Sequence, residues 1–155
     1  MVKFGLELVP QTPIKKIIEL SIAAEKGGLD TVWITDHFYN RNTYITLTAI
    51  ALKTEKIQLG PGVTNPYVVN PVWTASAIAS LDEVSGGRAI LGIGAGDRVT
   101  LEKLAIPQTV PLSAVKESVQ TIRKLLAGET VTLEGKFLKI KDVGLAFKPG
   151  RVVPI

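Results

Sequence analysis

The sequence predicts an α/β protein built on a parallel sheet. Runs with strand character alternate four times with runs of helical spacing, and three of those helical runs close on glycine. The hydrophobic fraction of 46% with 21% charged residues is that of a globular chain, and 155 residues can enclose one ordinary core, read as one domain over 1–155.

The first strand is KFGLELV, residues 3–9, ended by Pro10. Thr12 is the expected cap of a helix with Pro13 in its first turn, where proline is tolerated. Ile14, Ile17, Ile18 and Ile22 recur at helical spacing, and Gly27-Gly28 ends the run. TVWIT, residues 31–35, is the second strand, and the threonine-rich stretch 43–53 the second helix. The third strand is 56–59. It meets GPGVTNP at 60–66, where two glycines and a proline predict that it breaks. Pro71 opens a third helix with Ala75, Ile78, Ala79 and Leu81 inward, closing at Ser85-Gly86-Gly87. A fourth strand follows over 88–93, and a helix runs from about 113 to Gly128. A hairpin pairs 130–133 with 137–140 around Gly135, and 152–155 reads as the start of a fifth strand. Two parallel architectures fit this order: an open doubly wound sheet, or a (β/α)8 barrel, of which this length supplies about half the usual ~250 residues.

Composition excludes several function classes. The chain has no cysteine and one histidine, so neither disulfides nor a metal centre is expected. No apolar run approaches the ~20 residues that span a bilayer, and the N-terminus lacks a signal-peptide pattern; a cytoplasmic protein without membrane contact is expected. The net charge of +4 arises entirely after residue 100, where 9 Lys+Arg face 5 Asp+Glu, against 9 and 9 before it. Those later basic residues are dispersed and lack an aromatic ladder, so no nucleic-acid surface is expected.

In both architectures ligands bind at the carboxyl ends of the strands. Those ends here carry Glu7, then Thr35-Asp36-His37, then Gly62-Val63-Thr64-Asn65, then Gly94-Ala95-Gly96-Asp97. Four polar or glycine-rich ends at equivalent positions point to one shared site. Glu7 lies within an apolar strand. Burial there would disfavour its carboxylate and make it a proton donor near neutral pH, whereas strand alternation equally allows it to face outward. His37 and Asp36 either line a ligand or serve as turn and cap residues; Asp97 either caps a helix or meets a ligand. LGIGAGD at 91–97 lacks the third glycine of a dinucleotide fingerprint and sits on the fourth strand, so a Rossmann site is not expected. Trp33, Tyr39, Tyr44, Tyr67 and Trp73 either line a flat pocket or pack in the core and rim.

Taken together, Glu7, TDH at 35–37, GPGVTNPY at 60–67 and GIGAGD at 92–97 resemble the luciferase-like superfamily of (β/α)8 TIM barrels. More narrowly, FGLELVP with GPGVTNPY is similar to the coenzyme F420-dependent 5,10-methylenetetrahydromethanopterin reductases of archaea. The resemblance implies the N-terminal half of such a barrel: four βα units with a hairpin insertion. It implies hydride transfer from reduced coenzyme F420 to a methylene pterin, giving the 5-methyl form, in one-carbon metabolism of the methanogenesis type. It places Glu7 as the proton donor and a non-prolyl cis peptide at Gly62-Val63 behind the deazaflavin ring. Thr64 and Asn65 would lie at the cofactor edge, Gly94, Ala95 and Gly96 along its other side, Asp36 and His37 near the ring, and Asp97 at the substrate. The alternatives are another F420- or FMN-dependent enzyme of the superfamily, and a half-barrel without catalysis. An open half-barrel exposes a strand edge, so a homo-oligomer is expected. The tail-phosphate site is expected in later strands, and AIPQTVPL at 105–112 departs from the aromatic residue usual in relatives.

Overall fold

Three short strands carry the sheet, and their register follows from side-chain alternation. The computed structural model describes residues 2–155. Its elements are β1 Gly5–Leu8, α1 Ile14–Lys26, β2 Thr31–Ile34, α2 Thr43–Ala51, β3 Gln58–Pro61, α3 Pro71–Val84, α4 Arg98–Lys103, α5 Pro111–Leu126, β4 Val131–Glu134 and β5 Lys139–Val143. β1, β2 and β3 pair in parallel in that order, with Glu7 opposite Trp33 and Trp33 opposite Gly60. Val32, Ile34 and Leu59 point to the helical layer and are fully buried with Ile17, Leu47, Ile50, Ile78, Ile122 and Leu125. Each such side chain contributes about 1.5–3 kcal/mol through burial, which sets the strand register.

The third strand does not break where its glycine and proline predicted. The ladder continues through Gly60 and Pro61, and the N–H of Gly62 donates to Ile34 O at 2.9 Å, beyond the donor that Pro61 lacks. Gly60 serves close approach instead: a Cβ there would lie 1.8 Å from the carbonyl oxygen of Ile90.

The fourth expected strand is an extended segment rather than a regular strand. It meets β3 and its continuation through two parallel bridges, Leu59 with Ala89 and Thr64 with Ile93. Between those bridges the chain advances five residues on one side (59 to 64) and four on the other (89 to 93). One residue is therefore extra, a β-bulge at 60–63 that contains the cis peptide Gly62-Val63. The expected fifth strand is likewise not regular, but Leu91 N donates to Pro154 O at 2.8 Å and Val153 is buried, so 152–155 lies beside the 88–94 segment.

Helix ends correct two further expectations. Thr12 does not cap α1: Pro13 is the cap residue, with no side-chain hydrogen bond, because its ψ of 142° leaves it outside the helix. α2 ends at Ala51 and is capped by Asn42, whose Oδ1 accepts from Ile45 N. Its threonines satisfy their hydroxyls on backbone carbonyls, Thr46 on Asn42 and Thr48 on Tyr44, which reconciles a threonine-rich stretch with a helix. α4 stands outside the expected order of elements, although a helix cap was one of the two readings of Asp97. The hairpin β4–β5 is antiparallel as expected, though its strands are shifted to 131–134 and 139–143.

Candidate active site

A cavity of about 630 Å³ opens at the carboxyl ends of the parallel segments. Glu7, Asp36, His37, Gly62, Val63, Asn65, Gly94, Ala95, Gly96 and Asp97 all line it, so the four strand ends singled out in the sequence do converge.

Glu7 is exposed, and the burial considered for it is not found. β1 alternates, with Leu6 and Leu8 packed on the core and Gly5 and Glu7 on the opposite face, which no layer of residues 2–155 covers. That face is floored by Trp33. An added Cβ on Gly5 would lie 3.2 Å from its Nε1, and one on Gly62 would lie 3.0 Å from its Cβ.

Thr35 follows directly on β2, and its carbonyl accepts from Thr43 Oγ1 at 2.8 Å, which ties the end of the strand to the start of α2. Its own Oγ1 is buried without a partner and borders the cavity. Asp36 and His37 follow, and the His37 ring stacks on Tyr39 with centroids 5.1 Å apart and planes 5° from parallel. The Tyr44 phenol lies below; burial first, and the Asp36 carboxylate second, push it up so that it stays protonated.

Beyond the bulge, alternation sends Val63 and Asn65 one way and Thr64 the other. Thr64 is therefore corrected: it is fully buried and lies outside the cavity wall. Its backbone joins the two segments, N–H to Gly92 O and carbonyl from Gly94 N, both at 3.0 Å. The alternating glycines of GIGAG answer to these neighbours. A Cβ on Gly92 would meet Pro61 O at 2.3 Å, one on Gly94 would meet Val63 Cγ2 at 3.2 Å, and one on Gly96 would meet Asn65 Cγ at 3.0 Å. The result is a wall on which flat surface is left by missing side chains.

Asp97 caps α4, accepting from Thr100 N at 2.9 Å and Thr100 Oγ1 at 2.6 Å. The Thr100 hydroxyl and then its backbone N–H hold this carboxyl below the usual range. Its oxygens are thus engaged at the helix start as well as bordering the cavity. Sequence reading missed Phe38, Asn40, Asn42, Val68, Val69, Thr100 and Leu101 in the lining. The D-x-x-T spacing at 97–100 is a capping pattern that could have located α4 and brought its two residues in. Trp73 belongs to neither core nor pocket, standing 73% exposed on α3.

The family model for luciferase-like monooxygenases matches residues 1–155. The chain belongs to that family. It is 49% identical over 150 residues to the 5,10-methylenetetrahydromethanopterin reductase of Archaeoglobus fulgidus, covering 97% of this chain and 45% of that protein. It is 50% identical over 149 residues to the enzyme of the same name from Methanolobus tindarius, covering 96% and 46%. Among solved structures, the coenzyme F420-dependent tetrahydromethanopterin reductase of Methanopyrus kandleri superposes with a TM-score of 0.88 at 41% identity, covering 91% of this chain and 45% of that one. The chain thus spans a little under half the length of these relatives. In luciferase-like terms, its four parallel segments and their helices are half of a (β/α)8 barrel, and the open sheet face is the inside of that barrel.

Proposed function

We propose that the protein carrying these residues transfers a hydride from reduced coenzyme F420 to 5,10-methylenetetrahydromethanopterin, giving the 5-methyl form. The observation that carries this reading is identity near one half to reductases of that name over almost the whole chain, with the residues of all four strand ends gathered on one cavity.

The residues suit a flat ring. Val63 and the side-chain-free edges of Gly94 and Gly96 offer an apolar wall, and His37 and Asp36 line the same cavity. Coenzyme F420, when bound, supplies the hydride. The chain itself supplies orientation and a proton. When the methylene carbon takes the hydride, its bond to one ring nitrogen breaks and the bonding pair stays on that nitrogen, which then accepts a proton. Glu7 is the acid assigned to that step, and Asp97, anchored through Thr100, borders the substrate. FMN with oxygen-dependent turnover is the competing chemistry.

The test uses the complete protein with reduced F420 and the methylene pterin. We expect F420 oxidation coupled to methyl-pterin formation. Glu7→Gln should lower turnover by roughly 10²-fold or more, the usual scale of a lost general acid. Normal turnover in that variant would remove Glu7 from the mechanism. FMN-dependent oxygen uptake without F420 turnover would replace the reading as a whole.

We also propose that the protein is a homo-oligomer of the cytoplasm, with residues 1–155 as one folding unit. The support is a face without charge: no Asp, Glu, Lys or Arg occurs in α2, or in α3 before Asp82. Ile45, Trp73 and Val84 stand exposed on those helices, and so does Leu52 at the C-cap of α2. A second copy offering the same face would cover them without burying a charge. Among the described residues no helix is long and apolar enough to cross a membrane.

A further inference from the structure

Gln108 lies in the loop between α4 and α5, behind the cavity wall rather than in it. Its Nε2 donates to two successive carbonyl oxygens, Ala95 O at 2.9 Å and Gly96 O at 3.1 Å. In a trans peptide the carbonyl and the following N–H point in opposite directions. Bonding both carbonyls from one side therefore turns the N–H groups of Gly96 and Asp97 away from Gln108. Neither N–H has an acceptor among the described residues. A brace is needed here because Ala95 sits between two glycines, one of them Gly96 at φ +78°, and glycine leaves the backbone free to rotate.

A second tether reaches the same loop from the neighbouring wall. The Tyr67 hydroxyl donates to Thr109 O, next to Gln108. Tyr67 N in turn donates to Asn65 Oδ1, and the Asn65 side chain packs on Gly96. The circuit closes from Gly96 through Asn65, Tyr67, Thr109 and Gln108 back to Gly96. It joins the end of β3 to the end of the 88–94 segment, the two walls that carry Asn65 and Ala95 to the cavity. The Tyr67 ring also meets Phe137 of the hairpin edge-on at 5.0 Å, which anchors the circuit to β4–β5.

We propose that Gln108 is a positioning residue for ligand binding, holding the 95–96 and 96–97 peptides so that their N–H groups meet a carbonyl oxygen of the bound ring. The inference rests on the functional reading above for the identity of that ring. A carbonyl oxygen fits better than a phosphate, because the ionised Asp97 carboxylate stands beside these N–H groups and repels a full negative charge.

The test compares Gln108→Ala, Gln108→Glu and Gln108→Lys in the complete protein. The ligand probe is F420, or FMN if the wild-type protein binds that instead. Loss of the donor in Ala and its replacement by an acceptor in Glu should weaken probe binding about ten-fold or more. At saturating probe, kcat should stay within about two-fold, since no reacting atom is touched. Lys keeps N–H donors and should restore most of the affinity. Affinity unchanged in Ala and Glu overturns the proposal, as does a folded Lys variant that binds no better than Ala. Should the wild-type protein bind neither probe, the functional reading falls and a ligand-free measurement decides the role of Gln108. The backbone amide chemical shifts of Gly96 and Asp97 should move in the Ala variant and return in the Lys variant; unmoved shifts overturn it.

Discussion

Glu117 gathers three backbone donors with one carboxylate: Lys136 N on Oε1 and Phe137 N and Leu138 N on Oε2, at 2.9–3.0 Å. It pins the hairpin turn to α5, and a Cβ on Gly135 would crowd that carboxylate, lying 2.3 Å from Oε2. The Leu138 N–H above all, joined by those of Phe137 and Lys136, holds this carboxyl below its ordinary value of 4.5. Because the folded pKa is the lower one, the stabilisation is complete above the unfolded value and is lost as pH falls through the folded value. Urea unfolding of the wild type between about pH 3 and pH 7 should show an acid-side loss that is shallower in Glu117→Gln. Glu117→Ala should cost about 1–3 kcal/mol near neutral pH by leaving the turn's N–H groups without their acceptor. Equal acid slopes in wild type and Gln variant would refute this. Residue identity was partly legible at this scale. Asp97 as a cap was one of two readings, whereas Thr64, which the resemblance placed at the cofactor edge together with its neighbour Asn65, faces the other way because successive residues of an extended chain alternate.

The element scale is governed by the bulge between β3 and the 88–94 segment. Gly60 and Gly92 let two backbones approach where any side chain would collide with a carbonyl, at 1.8 Å from Ile90 O and 2.3 Å from Pro61 O. Neither obstacle is a flexible side-chain end, so relief requires moving the sheet. Gly60→Ala should therefore destabilise by several kcal/mol, on the order of the strongest single-site effects, or prevent soluble expression. Gly150→Ala, with open space around the position, should stay within about 0.5 kcal/mol by thermal unfolding. A Gly60→Ala protein as stable as Gly150→Ala would contradict the close approach. Glycine and proline were visible in GPGVTNP, but a strand break and a close backbone contact leave the same residues in a sequence. Only the position of Ile90 distinguishes them.

Across the whole molecule two faces are left without partners among residues 2–155: the inner sheet face with Glu7, and the uncharged face of α2 and α3. The second is the face on which the proposed self-association rests. Leu52, 67% exposed, tests it. Leu52→Glu would bury two like charges across a two-fold interface and should shift light scattering toward the monomer, with the fold retained by circular dichroism. A wild-type protein already monomeric at micromolar concentration would end that proposal. Arg88 and Arg151 meanwhile brace the amino-end side of the sheet. Arg88 donates to Ala51, Thr54, Ile57 and Ser85 carbonyls, and Arg151 pairs with buried Asp82 at 2.8 Å while also donating to Ala89 O. These contacts concentrate structural polar groups at one end of the strands and leave the other end for the cavity.

The order of elements, the parallel sheet and the strand ends that would carry the site were determined by the sequence itself, because alternating periodicities and glycine stops are local properties. So was the cavity's glycine-rich wall, announced by GIGAG at 92–96. Tertiary structure decided what depends on distant neighbours: which face of the sheet carries Glu7, the burial of Thr64, and the irregular path of 88–94. It also brought Gln108 within reach of Ala95 and Gly96, contacts twelve and thirteen residues away that no local pattern encodes. Burial and hydrogen bonding are sums over the surroundings of a side chain, and here those surroundings are assembled by a one-residue bulge between two neighbouring backbones.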